Sequence, residues 1–325
     1  MKGMSIDMKE YGGYLPLELP YRKEFFDDIQ DIVRVNCGRA AIYCALMDAK
    51  PNKVYIPFYN CEFVKEPFEK AGIKYDFYNI DEDFMPVNVN LLEDEYILWV
   101  NYFGIQASHT IEKVKIKYGN VIFDNTQAFF SPPVYEAYNI YSCRKFFGVS
   151  DGAYLIKNNI KQPNLEQDIS YNRAQFMLKS IEKGTNAGYK GSMQNEDELA
   201  KNVYAMSRLT QRILCSIDYE DIKNKRYNNF IVLHRYLGEI NELKVNTNTQ
   251  TAMVYPLLIK DDNLRQKLVE SKIYIPQWWK HVINKTDENS FDNYLSRYLI
   301  PLPIDQRYNQ EDMKYIANLV MSFRE

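Results

Sequence analysis

Val121-Ile122-Phe123-Asp124-Asn125-Thr126-Gln127-Ala128, followed by Ser142-Cys143-Arg144-Lys145-Phe146-Phe147-Gly148 and Asp151-Gly152-Ala153, is the stretch on which the fold turns. A short, continuous apolar run ends on a carboxylate, and a second run, Asn139–Tyr141, leads into a lysine. Apolar runs of this length without alternation read as strands covered on both faces. Working outward, similar runs stand at Ile32–Val35, Val54–Phe58, Tyr75–Ile80, Tyr96–Tyr102 and Ala153–Ile156. Helical stretches at Arg39–Ala49, Glu62–Lys70 and His109–Tyr118 separate several of them. Strand, helix and strand in succession predict crossovers and a mostly parallel seven-stranded sheet with helices on both faces.

Beyond Lys157 the pattern changes. Ser170–Ser216 reads as a polar, mostly helical tract broken by exposed loop at Gly184–Gly188 and Lys190–Ser192. Asp218–Leu237 reads as a helix. A strand at Ala252–Ile259, a helix at Asp262–Lys272, short strands at Ile273–Ile275 and Leu299–Leu302 and a final helix at Gln310–Phe323 follow. The expected organisation is an N-terminal arm (1–25), a large domain (26–215) and a small C-terminal α/β domain (216–325).

Of the 325 residues 46% are hydrophobic and 26% charged, which is ordinary globular usage. Forty basic against 43 acidic residues give a net charge of −3, so no cationic footprint for nucleic acid is expected. No apolar run is long enough to span a membrane, and Met1–Glu10 has no signal-peptide core. The five cysteines form no CxxC pair, which points to reduced thiols and a cytoplasmic protein. His109, His234 and His281 lack ligand spacing, so no metal site is expected.

Ligands of open α/β sheets sit beyond the carboxyl ends of the strands. After the first strand, Gly38 lets the chain approach closely. The amides of Arg39 and Ala40 at a helix N-terminus form an anion cradle, with Arg39 as a charged clamp. The motif is neither GxGxxG nor a Walker loop. Asp124 alone is most simply a helix cap, and Lys145 alone a surface lysine. Desolvation by its aromatic neighbours and the adjacent Arg144 are expected to lower the amine's pKa, as Schiff-base chemistry requires. Together the cradle, the carboxylate and the lysine are the parts that hold pyridoxal phosphate (PLP).

Read with their order and spacing, these residues resemble the DegT/DnrJ/EryC1/StrS aminotransferases. The resemblance implies a fold type I PLP-dependent transferase. Asn36–Ile42 is similar to the family's phosphate turn, Val54–Pro57 to its second βα unit, and Asn101-Tyr102-Phe103-Gly104 to its His-Leu-Phe-Gly segment. Asp124 falls on the aspartate paired with the ring nitrogen, Gln127 on the glutamine near the ring hydroxyl and Lys145 on the aldimine lysine. Met206-Ser207 resembles the family's Arg-Met-Ser segment, with Ala205 in place of the arginine. Cys61 replaces the aromatic residue that stacks on the ring, leaving Tyr59 or Phe63 for that role. Ser142, three residues before Lys145, is the expected phosphate ligand, and Asn202 is the candidate for the asparagine lent across a homodimer with shared active sites. The implied reaction is ping-pong transfer of an amino group from an amino acid donor to a nucleotide-linked keto-sugar, as in surface polysaccharide pathways. A PLP enzyme of another reaction type, such as a decarboxylase or lyase, and a non-catalytic binding protein on the same scaffold are the alternatives.

Overall fold

The computed structural model describes residues 11–248 and 251–324. In chain order it contains β1 (Ile32–Val35), α1 (Gly38–Ala49), β2 (Lys53–Pro57), α2 (Glu66–Ala71), β3 (Lys74–Tyr78), β4 (Glu95–Val100), α3 (Ser108–Tyr118), β5 (Val121–Asp124), β6 (Tyr138–Ser142) and β7 (Ala153–Ile156). These seven strands form one sheet in the order β1-β7-β6-β5-β4-β2-β3. Neighbours from β6 through to β3 pair in parallel, whereas β7 is antiparallel to both β6 and β1. The reversal follows from the connection: residues 143–152 return the chain directly, pairing Ser142 with Ala153, and so short a link allows only an antiparallel partner. Every residue of β5, β6 and β7 is buried, as expected for strands sandwiched between layers.

Two aromatic-rich clusters fill the space around the sheet. One contains Trp99, Phe103 and Phe123, with α1 and the C-terminal elements packed on the same core. The other gathers Phe26, Phe129, Tyr141, Phe146, Phe147 and Tyr154. Phe26 also ties in the segment that precedes β1. Beside it, the buried carboxylate of Glu24 accepts from Arg34 (2.8 Å) and from the Tyr154 hydroxyl (2.6 Å).

After β7 come α4 (Gln175–Lys183), α5 (Thr185–Lys201) and α6 (Arg208–Leu214). The loop expected at Gly184–Gly188 and Lys190–Ser192 is a helix instead. Only Gly184, with φ at +82°, breaks the chain, and it joins α4 and α5 into a hairpin. The other two glycines serve packing: a Cβ at Gly188 would lie 2.5 Å from the Phe176 carbonyl oxygen, and one at Gly191 would lie 2.9 Å from Phe176 Cβ. Helix backbones approach this closely only where side chains are absent.

The last part holds α7 (Tyr219–Leu237), β8 (Val254–Leu258), α8 (Leu264–Glu270), α9 (Phe291–Tyr298), β9 (Leu299–Pro303) and α10 (Gln310–Ser322). Strands β8 and β9 form a separate antiparallel pair. The strand expected at Ile273–Ile275 is absent. Ile273 and Ile275 are buried in the core, but the chain turns at Lys272 (φ +65°), and Pro276 has no N–H to give a ladder. No helix among the described residues is long and apolar enough to cross a membrane.

Candidate active site

The carboxyl ends of β1, β2, β5 and β6 lie on one edge of the sheet because those strands share a direction. Asp124 ends β5 and is 5% exposed. Its carboxylate accepts from the Thr126 backbone N–H at 3.0 Å. Burial pushes the carboxyl pKa up, while the Thr126 hydrogen bonds and the positive charge of Lys145 oppose that shift. Asp124 is therefore a buried acid within electrostatic reach of one lysine, in a place where a second cation would be stabilised.

Lys145 sits on the turn after β6. The expected desolvation by its neighbours is not what the structure shows: Phe146 and Phe147 turn inward, at 2% and 5% exposure, and Lys145 is exposed. The local reason is the tight turn, in which the amides of Phe146 and Phe147 both bond back to the Cys143 carbonyl and drive the two rings into the aromatic cluster. Beneath the turn, Arg226 of α7 lies 4.7 Å from the Phe146 ring centroid and donates to the Met253 carbonyl (3.0 Å) and to Gln306 (3.1 Å). Gln306 in turn donates to the Phe146 carbonyl at 2.8 Å, so the backbone next to Lys145 is held from below. Arg226 is buried with no carboxylate bonded to it among the described residues, and burial lowers its pKa to about 10.

The turn from β1 into α1 packs tightly against the segment after Asp124: a Cβ at Gly38 would lie 3.3 Å from Thr126 Cγ2. No acidic residue occupies the first turn of α1, so its leading amides suit an anion. Ser142 closes β6 and is buried. Arg39 pairs with Glu66 at 3.0 Å and reaches the Glu196 carbonyl at 3.4 Å. Cys61 is exposed, and the charges of Lys145, Arg39 and Glu196 all act on its thiol, which places it on the same edge.

The Tyr59 ring and the Gln127 side-chain oxygen are engaged within the fold, whereas Asn202 borders Cys37, Arg39 and Ala40 at the turn into α1. Tyr59 is fully buried, its ring 4.5 Å edge-on from Trp279, so it offers no face for stacking. The Gln127 side-chain oxygen is taken by the Phe103 amide at 2.8 Å. Phe103 adopts φ +60°, and the following Gly104 would bring a Cβ within 2.9 Å of the Gln127 carbonyl. Asn202 is exposed at the end of α5, and its backbone carbonyl accepts from Asn36 at 3.0 Å. Phe63 is 54% exposed, with the Arg39 guanidinium 5.7 Å from its ring. Trp278 stacks on Phe103 at 5.8 Å, and Tyr14 in the N-terminal arm is 92% exposed.

Thr126 and Glu196 add contacts that the local sequence does not signal, and Ser207 adds one beyond its Met-Ser resemblance. Thr126 steadies Asp124 and lies against Gly38. Glu196 of α5 forms a two-point ion pair with Arg144, one contact at 3.2 Å. Ser207 caps α6 and also donates to the fully buried Asp151 through its N–H (2.8 Å) and hydroxyl (2.7 Å), joining the Asp-Gly-Ala and Met-Ser segments. A helix cap followed three residues later by Thr210 was the available signal for Ser207; none pointed to Glu196.

Solved structures share this architecture. A DegT DnrJ EryC1 StrS aminotransferase from Brucella abortus is 14% identical, with 91% of this chain and 86% of that one covered at a TM-score of 0.59. The sugar aminotransferase CalS13 from Micromonospora echinospora is 13% identical, with 90% and 87% covered and a TM-score of 0.58. The PLP form of Spr1654 from Streptococcus pneumoniae is 14% identical, with 91% and 88% covered and a TM-score of 0.60. No family model and no curated protein matches the sequence. Likeness at such identities is one of architecture, and the chain has the fold of the DegT/DnrJ/EryC1/StrS aminotransferases.

Proposed function

We propose that the protein is a PLP-dependent aminotransferase that moves an amino group from an amino acid to a nucleotide-linked keto-sugar. The observation that carries the reading is Lys145 within electrostatic reach of the buried Asp124, on the carboxyl edge of a sheet with this fold. The site suits the cofactor on two further counts. Asp124 lies where a cationic ring nitrogen would relieve the cost of its burial, and Gly38 gives close access to the leading amides of α1.

When bound, the cofactor supplies an electron sink for the donor's α-carbon. Lys145 would attach it through Nζ and carry a proton at that nitrogen as base and acid. Asp124 would hold the ring nitrogen protonated, oriented by Thr126. The amides at Gly38–Ala40 and the hydroxyl of Ser142 would hold the phosphate, and Cys61 and Phe63 would flank the cofactor. These groups lie in residues 26–215, which we take as the cofactor domain, with 216–325 as the smaller one. A homodimer is part of the reading. Leu15, Leu17 and Tyr21 of the arm and Leu178, Ile181 and Tyr189 of the α4–α5 hairpin are exposed, an apolar surface of the kind that subunit contacts cover.

The test is a two-stage reaction on protein reconstituted with PLP. Glutamate, glutamine and aspartate should each be offered as donor, and at least one should bleach the visible band with release of the matching keto acid. A nucleotide-linked keto-sugar should then restore the band and appear as the amino sugar. Release of carbon dioxide or ammonia without a keto acid would mark another PLP reaction and overturn the transaminase reading.

A further inference from the structure

The cations around the phosphate turn are not free in this fold. Arg144, next to Lys145, is held at two points by Glu196. That carboxylate comes from α5, which is fastened at several places. The Cys37 thiol donates to the Leu199 carbonyl at 3.6 Å, the Asn195 amide to the Ser150 carbonyl at 2.6 Å, and Arg39 to the Glu196 carbonyl. Arg144 also acts on the Cys37 thiol at the N-cap of α1, so its guanidinium is close to the anion cradle. Burial alone would raise the pKa of Glu196, but the Arg144 hydrogen bond and the charges of Arg144, Lys145 and Arg39 bring it below the ordinary carboxylate value. Three cations thus act on one carboxylate, and no other carboxylate is bonded to Arg144 among the described residues.

A two-point guanidinium–carboxylate pair is the geometry in which arginine also takes a phosphate. We propose that Glu196 is a built-in counter-anion of the cofactor site, competing with a phosphate monoester for Arg144 so that binding proceeds by exchange of one anion for the other. The inference rests on the proposed function for the identity of the phosphate monoester. The exchange itself requires only an anion. Glu196 is suited to exchange rather than to permanent burial because its side chain remains 45% exposed, against 17% for Arg144, and is free to swing into water. An exposed partner of this kind holds its cation weakly, so its removal should tighten anion binding by roughly fivefold.

The experiment uses the full chain with Glu196→Gln, Glu198→Gln and Arg144→Gln, all at one ionic strength. Glu198 lies on the same helix and, among the described residues, pairs only with Lys201, so its substitution changes net charge equally but away from Arg144. Inorganic phosphate is titrated by calorimetry, and PLP binding is followed by absorbance. The inference predicts tighter binding of both ligands by E196Q, no change for E198Q, and weakened phosphate binding by R144Q. Equal tightening by E196Q and E198Q would show a general charge effect and overturn it. Unchanged or weaker binding by E196Q, or no phosphate binding by any protein, would overturn it too. If phosphate follows the predicted order while no protein forms a borohydride-sensitive band with PLP, the anion exchange stands and the proposed function falls.

Discussion

Asp124→Asn separates the electrostatic role of this residue from its role in the fold. The side chain is 5% exposed, and burial pushes its pKa up. A carboxylate in such a place is stable as an anion only opposite a cation, and removal of one partner from a buried pair costs about 3–5 kcal/mol. With tenfold in rate for each 1.36 kcal/mol, the substitution should slow donor conversion by roughly 10²–10⁴, the range usual for one positioned group. Lys145 is untouched, so the variant should still take up PLP. The assay is a single-turnover measurement of the visible band after a donor is mixed with reconstituted protein. A second readout comes from the protein without added PLP. A raised carboxyl pKa contributes stability below the unfolded value and loses it as pH rises through the folded value. Burial of the charge therefore weighs against the fold above that window, and D124N should be at least as stable there as the parent. A variant that converts donor within about threefold of the parent rate would refute the pairing of Asp124 with the ring.

Other parts of the structure make separate predictions. Asp292 is fully buried and its pKa is raised to about 6 by burial, although it accepts from the Ile80 amide at 3.0 Å. Its contribution to stability should be present below pH 4 and lost by about 3 kcal/mol at most as pH rises through 6. Asp292→Asn should flatten that part of the pH profile in urea unfolding. Gly104→Ala places a Cβ 2.9 Å from the Gln127 carbonyl at a φ of +73°. It should cost about 2–3 kcal/mol and loosen the turn that Gln127 holds. Gly188→Ala puts a methyl group 2.3 Å from Ser180 Oγ and 2.5 Å from the Phe176 carbonyl oxygen. The α4–α5 hairpin should open, with faster amide exchange across 175–201 and little change in β5 and β6.

The sheet was legible because its strands announce themselves locally. Val121–Phe123 and Ala153–Ile156 are short, continuous and apolar, and the chemistry-bearing residues follow them directly. Asp124, Lys145 and the Gly38 turn stand out as candidates for that reason. Features set by tertiary contact were not legible. Gly188 and Gly191 look like loop residues until Phe176 is seen against them. Tyr59 precedes Cys61 by two residues, yet its ring is enclosed by Tyr102 and Trp279 while Cys61 faces outward. Phe146 and Phe147 are beside Lys145 in sequence but turn away from it in space. Glu196 meets Arg144 across 52 residues, a pairing that no local pattern encodes.

The central claim is that Lys145 is the residue to which PLP attaches. The most direct measurement is the visible spectrum of protein incubated with PLP and desalted, recorded for the parent and for Lys145→Ala, with borohydride reduction and peptide mapping of the parent. The expected result is a yellow band in the parent that borohydride bleaches, a pyridoxyl group on the peptide containing Lys145, and no such band in the variant. A parent protein without a band, or a band that persists in Lys145→Ala, would contradict it.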